Sequence, residues 1–218
     1  MRPIRPDDRR LWLASRSPRR RTLLEQLGFE PVLCVADVEE VPEPGERAAA
    51  YTERLAGEKG RAARAALSAR GEDAPSWIVA ADTVVVLGGA ILEKPADGAH
   101  AVQMLTRLSG REHEVLTGFW IGSVDGAVER SEVARSAVRF RELSEALVRR
   151  YVDTGEPMDK AGAYGIQGIG GALVASIEGS YFNIVGLPVA QVAAALRELG
   201  ALEGFPFAPR PTVAAAGG

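Results

Sequence analysis

The segment Ser15-Arg16-Ser17-Pro18-Arg19-Arg20 places three guanidiniums within five residues, directly after the apolar run Leu11-Trp12-Leu13-Ala14. Ser17 and Pro18 read as the N-cap and first position of a helix. A helix N-terminus offers unpaired N–H groups and the positive end of the peptide dipole, and guanidinium matches phosphate oxygens two at a time. Positive charge in a first helical turn is unfavourable unless an anion offsets it. A merely solvated basic turn therefore carries a cost with no gain, and the chemistry this segment suits is phosphate binding.

A second candidate is Asp82, a carboxylate inside the apolar run Trp77 to Leu87. Burying a charge without a partner costs several kcal/mol. Asp82 thus belongs at a strand end or in a cleft, against a cation, a metal or a water; the plainer alternative is a structural pairing with backbone or an arginine. Thr83 beside it can donate or accept a hydrogen bond. Lys59, in a charged helical segment, and Lys94, before Pro95, are each an ordinary solvated lysine when taken singly. Glu39-Glu40 can offer oxygen ligands to a hard cation, although acidic loops are commonly just exposed. In the stretch 155–168, Asp159, Lys160, Tyr164 and Gln167 are sparse polar groups among glycines, which let backbone approach a ligand closely. A flexible loop is the alternative there.

Other chemistries find no support. The chain has no Gly-x-x-x-x-Gly-Lys-Ser/Thr, no Gly-x-Gly-x-x-Gly after a strand, no nucleophile elbow, and no His or Cys cluster with zinc spacing. The single cysteine, Cys34, lies in an apolar run and reads as a small buried hydrophobe.

These residues need elements to hold them. Leu11 to Ala14 and residues 30–36 read as short strands. Residues 18–27 form a helix closed by Gly28, and 46–70 a long helix whose apolar face runs from Tyr51 and Leu55 to Ala62, Ala65 and Ala66. Trp77 to Leu87 is a central strand that turns at Gly88-Gly89. Asp97 and Ser144 cap further helices, the first closed by Gly110. Residues 112–124 and 127–140 are long strands joined at Asp125-Gly126, a strong hairpin signal. Residues 172–177 and 181–185 read as short strands, and Pro188 starts a last helix. Helices alternate with strands, yet the hairpins demand antiparallel pairs. The expected class is α/β, a mixed sheet with helices on both faces and a central cleft. Residues 1–10 read as a leader, 11–202 as one domain of two lobes, and 203–218 as a disordered tail.

At 218 residues and 46% hydrophobic, the chain can bury a sizeable core. Its net charge of −3 argues against binding a nucleic acid polymer, which needs a broad basic field. One cysteine and no apolar stretch of membrane-spanning length point to a cytoplasmic protein without a membrane role.

Taken together, Leu13-Ala14-Ser15-Arg16-Ser17-Pro18-Arg19-Arg20 with Leu23-Leu24, Ala81-Asp82-Thr83-Val84-Val85, Glu93-Lys94-Pro95, Met104-Leu105 with Leu108-Ser109-Gly110, Asp159 to Gly168, and Gly179-Ser180-Tyr181 with Gly186-Leu187-Pro188 resemble the Maf family of nucleotide pyrophosphatases. The pieces run in order from about residue 11 to 199. The resemblance implies a fold akin to the inosine triphosphate pyrophosphatases, often as a homodimer. It implies hydrolysis of a nucleoside triphosphate to a monophosphate and pyrophosphate, with a divalent metal, Mg or Mn. It makes Asp82 the proton acceptor, lines the phosphate and metal site with Ser15, Arg20, Glu40, Lys59 and Lys94, and links Arg19, Thr83 and Gln167 to base preference. Asp82 and Glu40 are its metal candidates. The Asp159–Gly168 segment resembles the dTTP and UTP branch rather than the 7-methyl-GTP branch. Arg16 departs from the small residue common at its position. A role in house-cleaning of modified nucleotides is also open. The competing reading, suggested by the family's historical name of septum formation inhibitor, is a non-enzymatic regulator of cell division acting through a partner.

Overall fold

The β-branched run Trp77–Leu87 forms an inner strand of a seven-stranded mixed sheet. The computed structural model describes residues 2–72 and 75–208. In chain order the elements are β1 (Arg10–Ala14), α1 (Pro18–Gln26), β2 (Glu30–Leu33), α2 (Ala48–Ala69), β3 (Trp77–Leu87), β4 (Ala90–Leu92), α3 (Gly98–Leu108), β5 (Glu112–Ser123), β6 (Glu129–Phe140), α4 (Glu145–Asp153), β7 (Val174–Glu178), α5 (Tyr181–Val185) and α6 (Val189–Glu198). Short 3-10 turns fill Glu156 to Leu173. The strand order is β2-β1-β3-β5-β6-β7, with β4 on the free part of β3. β1 pairs in parallel with β2 and β3, and the pairings β3–β4, β3–β5, β5–β6 and β6–β7 are antiparallel.

Side chains alternate across a strand, and β3 shows what each face receives. Ile78, Ala80, Val84 and Val86 pack under α2, with Tyr51, Leu55, Ala56, Ala63 and Leu67. On the opposite face, Trp77, Val79 and Ala81 meet α1 and α6, whereas Val85 meets α3 and α4. That face is thus covered by two separate helix groups. Asp82 has the parity of the α2 face; Thr83 has the parity of the split face.

α2 comes close to the sheet because residue 60 is glycine. A Cβ there would lie 2.1 Å from Cε3 of Trp120. The buried seam of α2 passes through Ala56, Gly60, Ala63 and Leu67 rather than Ala62, Ala65 and Ala66 as the sequence suggests. Lys59, next to this contact, is carried in with the helix.

Local signals hold at most boundaries. Asp97 and Ser144 cap α3 and α4, accepting hydrogen bonds from the amides of His100 and Leu147 at 2.7 and 3.3 Å. Ser17 takes the N-cap backbone position of α1, but its side chain makes no capping bond; Ser15 Oγ accepts from the Ser17 amide instead, at 3.2 Å. Residues 181–185 are the one clear reversal: they form α5, not a strand. The β-prone string Tyr-Phe-Asn-Ile-Val yields to the cap, since Ser180 Oγ accepts from the Asn183 amide at 3.3 Å, and to tertiary bonds that Asn183 makes inside the core.

Both ends reach the core. Ile4 is 3% exposed and bridges Leu202, and the Phe205 and Phe207 rings stack on and against Phe29. Residues 209–218 of the expected tail lie outside the described residues. Among the described residues no helix is long and apolar enough to cross a membrane.

Candidate active site

The sheet is incomplete along one edge of β3, and that is where the site lies. β1 ends at Ala14, paired with Ala80, and β4 begins its pairing only at Val85. Between them, Ala81 to Val84 pair with β5 on one side. Asp82, Thr83 and Val84 from this stretch line a cavity of about 750 Å³, within the usual range for a small-molecule site. Ser15, Arg19 and Arg20 line it from the turn after β1, and Glu40 and Lys59 from the acidic loop and α2. Lys94 enters after β4, and Gln167 enters on the glycine-rich loop. The nine residues that the family resemblance assigns to the site therefore converge on one cavity, whereas Glu39 of the acidic pair does not line it.

Lys59 is the hub of the α2 side. Its Nζ lies 2.6 Å from Oδ1 of Asp82 and 2.6 Å from Oε1 of Glu40. Partial burial pushes the Glu40 carboxyl up, but the Lys59 hydrogen bond and the fields of Lys59, Lys94 and Arg20 outweigh it and hold the carboxyl below its ordinary range. Glu40 therefore remains ionised in the presence of its cationic neighbours.

On the other face, Arg20 is locked. Its Nε donates to the Gly186 carbonyl at 2.8 Å, Nη1 to Ser15 Oγ at 3.0 Å and Nη2 to Thr83 Oγ1 at 2.9 Å. Burial pulls the Arg20 pKa down from its ordinary value, although a guanidinium stays charged. Thr83 Oγ1 also bonds Thr117 Oγ1 at 2.9 Å, and Thr117 donates to the Asn183 carbonyl at 3.0 Å. Asn183, wholly buried, donates to the Val115 carbonyl and Ser136 Oγ, each at 3.0 Å. This polar string ties α5, and with it the Gly186 carbonyl, to the sheet. Thr83 thus bonds Arg20 directly, a contact its place beside Asp82 in sequence does not reveal.

Asp159, Lys160, Tyr164 and Gln167 of the glycine-rich loop all line the cavity, but three of them are engaged with protein partners. Tyr164 is 5% exposed, and its hydroxyl bonds His113 Nε2 at 2.9 Å. Lys160 Nζ reaches Asp159 at 2.5 Å and the Glu156 carbonyl at 2.7 Å, while Arg19 Nη1 donates to Asp159 at 3.1 Å. A Cβ on Gly168 would fall 2.3 Å from Glu156 Oε2, and one on Gly170 would fall 2.4 Å from the Tyr151 hydroxyl. These glycines admit protein side chains packed against the loop. Arg16, the departure from the family pattern, pairs with exposed Asp37 at 2.5 Å.

Several contributors were invisible from sequence. Thr117 and Asn183 are buried polar residues whose partners lie in other elements, and the Gly186 carbonyl carries no side-chain signal. Glu93 lines the cavity and accepts a long hydrogen bond from Tyr51 at 3.5 Å; its place beside Lys94 was the available clue.

A split-faced α/β sheet with a carboxylate and convergent cations in its gap defines a polyanion-handling class of protein. The description "Maf-like protein" matches residues 10–199, and the chain belongs to the Maf family. A dTTP/UTP pyrophosphatase of Hahella chejuensis is 50% identical over 195 residues, covering 89% of this chain and 94% of that protein. A dTTP/UTP pyrophosphatase of an Anaeromyxobacter species is 50% identical over 194 residues, covering 88% and 90%. Among solved structures, the nucleoside-triphosphatase / dITP/XTP pyrophosphatase of Mycobacterium abscessus covers 88% of this chain and 96% of its own at 18% identity; its TM-score, 0.41, is too low to add to the assignment.

Proposed function

We propose that the chain hydrolyses dTTP and UTP between the α and β phosphates, releasing a nucleoside monophosphate and pyrophosphate. The observation that carries this reading is the Lys59 ammonium between Asp82 and Glu40, in the same cavity as the locked Arg20 and Lys94. Two relatives about half identical along nearly the whole chain bear the name dTTP/UTP pyrophosphatase. A module acting only through a protein partner has no need of these five groups around one cleft.

In the proposed reaction a water oxygen attacks the α phosphorus in line with the bond to the β phosphate. Asp82 accepts the water proton as that bond forms. The α–β bridge bond breaks, and its electron pair leaves on the pyrophosphate. Arg20, Lys59 and Lys94 offset the phosphate charge and stabilise what develops on the leaving group. Because Ser15, Thr83 and the Gly186 carbonyl already orient the Arg20 guanidinium, little reorganisation remains at the moment of reaction.

The donor set fits a divalent cation. Asp82 and Glu40 touch the same ammonium, so they lie near enough to share one metal ion, and Mg²⁺ sites commonly combine one or two carboxylates with substrate phosphates. A bound Mg²⁺ or Mn²⁺ would supply positive charge beside the phosphates and polarise them. We further assign base preference to Arg19, Thr83 and Gln167, with Thr83 acting through Arg20. A homodimer in the cytoplasm completes the proposal; a monomer mass in sedimentation would remove the first part.

The test is a panel of nucleoside triphosphates assayed for pyrophosphate with Mg²⁺ and with Mn²⁺. UTP and dTTP should lead. A preference for 7-methyl-GTP would overturn the substrate assignment, and no turnover of any member would overturn the activity.

A further inference from the structure

The loop that carries Gln167 is pinned at both ends by one pair of side chains. The Tyr151 hydroxyl on α4 accepts a hydrogen bond from the Gly165 amide at 3.1 Å and donates its own proton to Glu156 Oε1 at 2.8 Å. The same Glu156 Oε1 accepts from the Gly170 amide, and Oε2 from the Ile169 amide, each at 2.9 Å. Gly165 and Ile169 bracket the three residues Ile166, Gln167 and Gly168, so the stretch bearing Gln167 hangs between two anchored points. Both oxygens of Glu156 are engaged, and bonds to an ionised carboxylate are among the stronger ones. The anchors reach the backbone only because residues 168 and 170 lack a Cβ, as the 2.3 Å and 2.4 Å approaches show.

We propose that Glu156 and Tyr151 are positioning residues for base selection. They fix the shape of residues 165–170 and so fix where Gln167 meets the base. This rests on the pyrophosphatase reading above. Neither residue bonds Arg20, Lys59, Asp82 or Glu40, which hold the phosphate end. The pair therefore acts on recognition of the base and leaves recognition of the polyphosphate alone. Glu156 lines the cavity beside Arg19 and Asp159, but both of its carboxylate oxygens are taken up by the Tyr151 hydroxyl and the loop amides, and Tyr151 lies behind the cavity wall.

The experiment uses the full-length protein and the variants Glu156→Gln, Tyr151→Phe and Gly168→Ala. It measures kcat and KM for UTP and CTP, and the competitive inhibition constant of inorganic tripolyphosphate, which has the phosphates and no base. Losing the shared partner of these backbone amides should raise the KM for UTP about tenfold. The UTP-to-CTP ratio of kcat/KM should collapse toward one, while tripolyphosphate inhibition stays within about twofold of wild type. An unchanged ratio overturns the inference, as does a parallel weakening of tripolyphosphate. Gly168→Ala disturbs the same contact from the loop side and leaves Glu156 in place. If Glu156→Gln does not fold, an unchanged ratio in Gly168→Ala overturns the inference equally. A wild-type protein that does not turn over UTP removes the underlying reading as well; a selective wild type beside equally selective variants removes this inference alone.

Discussion

The Lys59 ammonium lies 2.6 Å from Oδ1 of Asp82, with the two side chains only 15% and 11% exposed. The pair is asymmetric, because Lys59 has a second carboxylate in Glu40 and Asp82 has Lys59. Asp82→Asn should leave the fold intact and the melting temperature within a few degrees. Pyrophosphate release should fall by about 10²- to 10⁴-fold, the range for loss of a positioned base. Lys59→Met should instead cost about 1–3 kcal/mol, since two partly buried carboxylates lose their shared counter-charge. Chemical denaturation and turnover measured on both variants check the contrast, and near-normal turnover in Asp82→Asn would sink the proposed role of the carboxylate.

Arg20→Lys keeps the charge but cannot reproduce three hydrogen bonds to Gly186, Ser15 and Thr83. An ammonium is a point charge on a flexible stem, not a fork. A drop in kcat/KM of about 10²-fold is expected, with the larger share in kcat. Steady-state kinetics with UTP give the split; a change confined to KM would assign Arg20 to uniform binding.

His113 supplies a pH dependence of stability. It is 2% exposed, and burial pushes its pKa from 6.5 down to about 4. Between those values the unfolded chain binds a proton that the folded chain refuses, so stability is complete above pH 6.5 and declines as the pH falls toward 4. The linked loss is at most about 3 kcal/mol. His113→Phe removes the Tyr164 hydrogen bond, a constant offset, and should also remove this slope. Urea titrations from pH 7 to pH 4 test it; an identical slope in both proteins would refute the assignment.

Gly60→Ala forces a methyl into the Trp120 ring. Overpacking of this kind costs about 1–3 kcal/mol. Lifting α2 also carries Lys59 away from Asp82, so activity should fall along with stability. A variant that loses stability yet keeps full kcat at low temperature would separate the helix position from the site.

Signals confined to a few residues were legible in the sequence: the β-branched run of β3, its Gly-Gly turn, the Asp97 and Ser144 caps, and a carboxylate at residue 82 too costly to bury unpaired. The convergence of Ser15, Glu40, Lys59, Lys94 and Gln167 on one cavity was not in any local pattern; it entered through the family resemblance. Geometry between elements stayed hidden. Nothing in Lys59's neighbourhood announces that Gly60 seats it, and the string from Thr83 through Thr117 to Asn183 joins three distant segments. The same string explains why residues 181–185 read as a strand and fold as a helix. The purpose of the loop glycines was hidden too, because sequence does not say from which side a backbone is approached.

The interrupted edge of β3 has a mechanical meaning. β1 stops before β4 starts, so the sheet has a seam there, and β3 with β5 carries the mechanical connection between the two helix groups on the split face. At Ala81 to Val84 backbone pairing holds β3 from the β5 side alone. A ligand gripped by Arg20 on one bank and Lys94 on the other would act as a cross-brace, tying together two banks that no strand pairing joins directly.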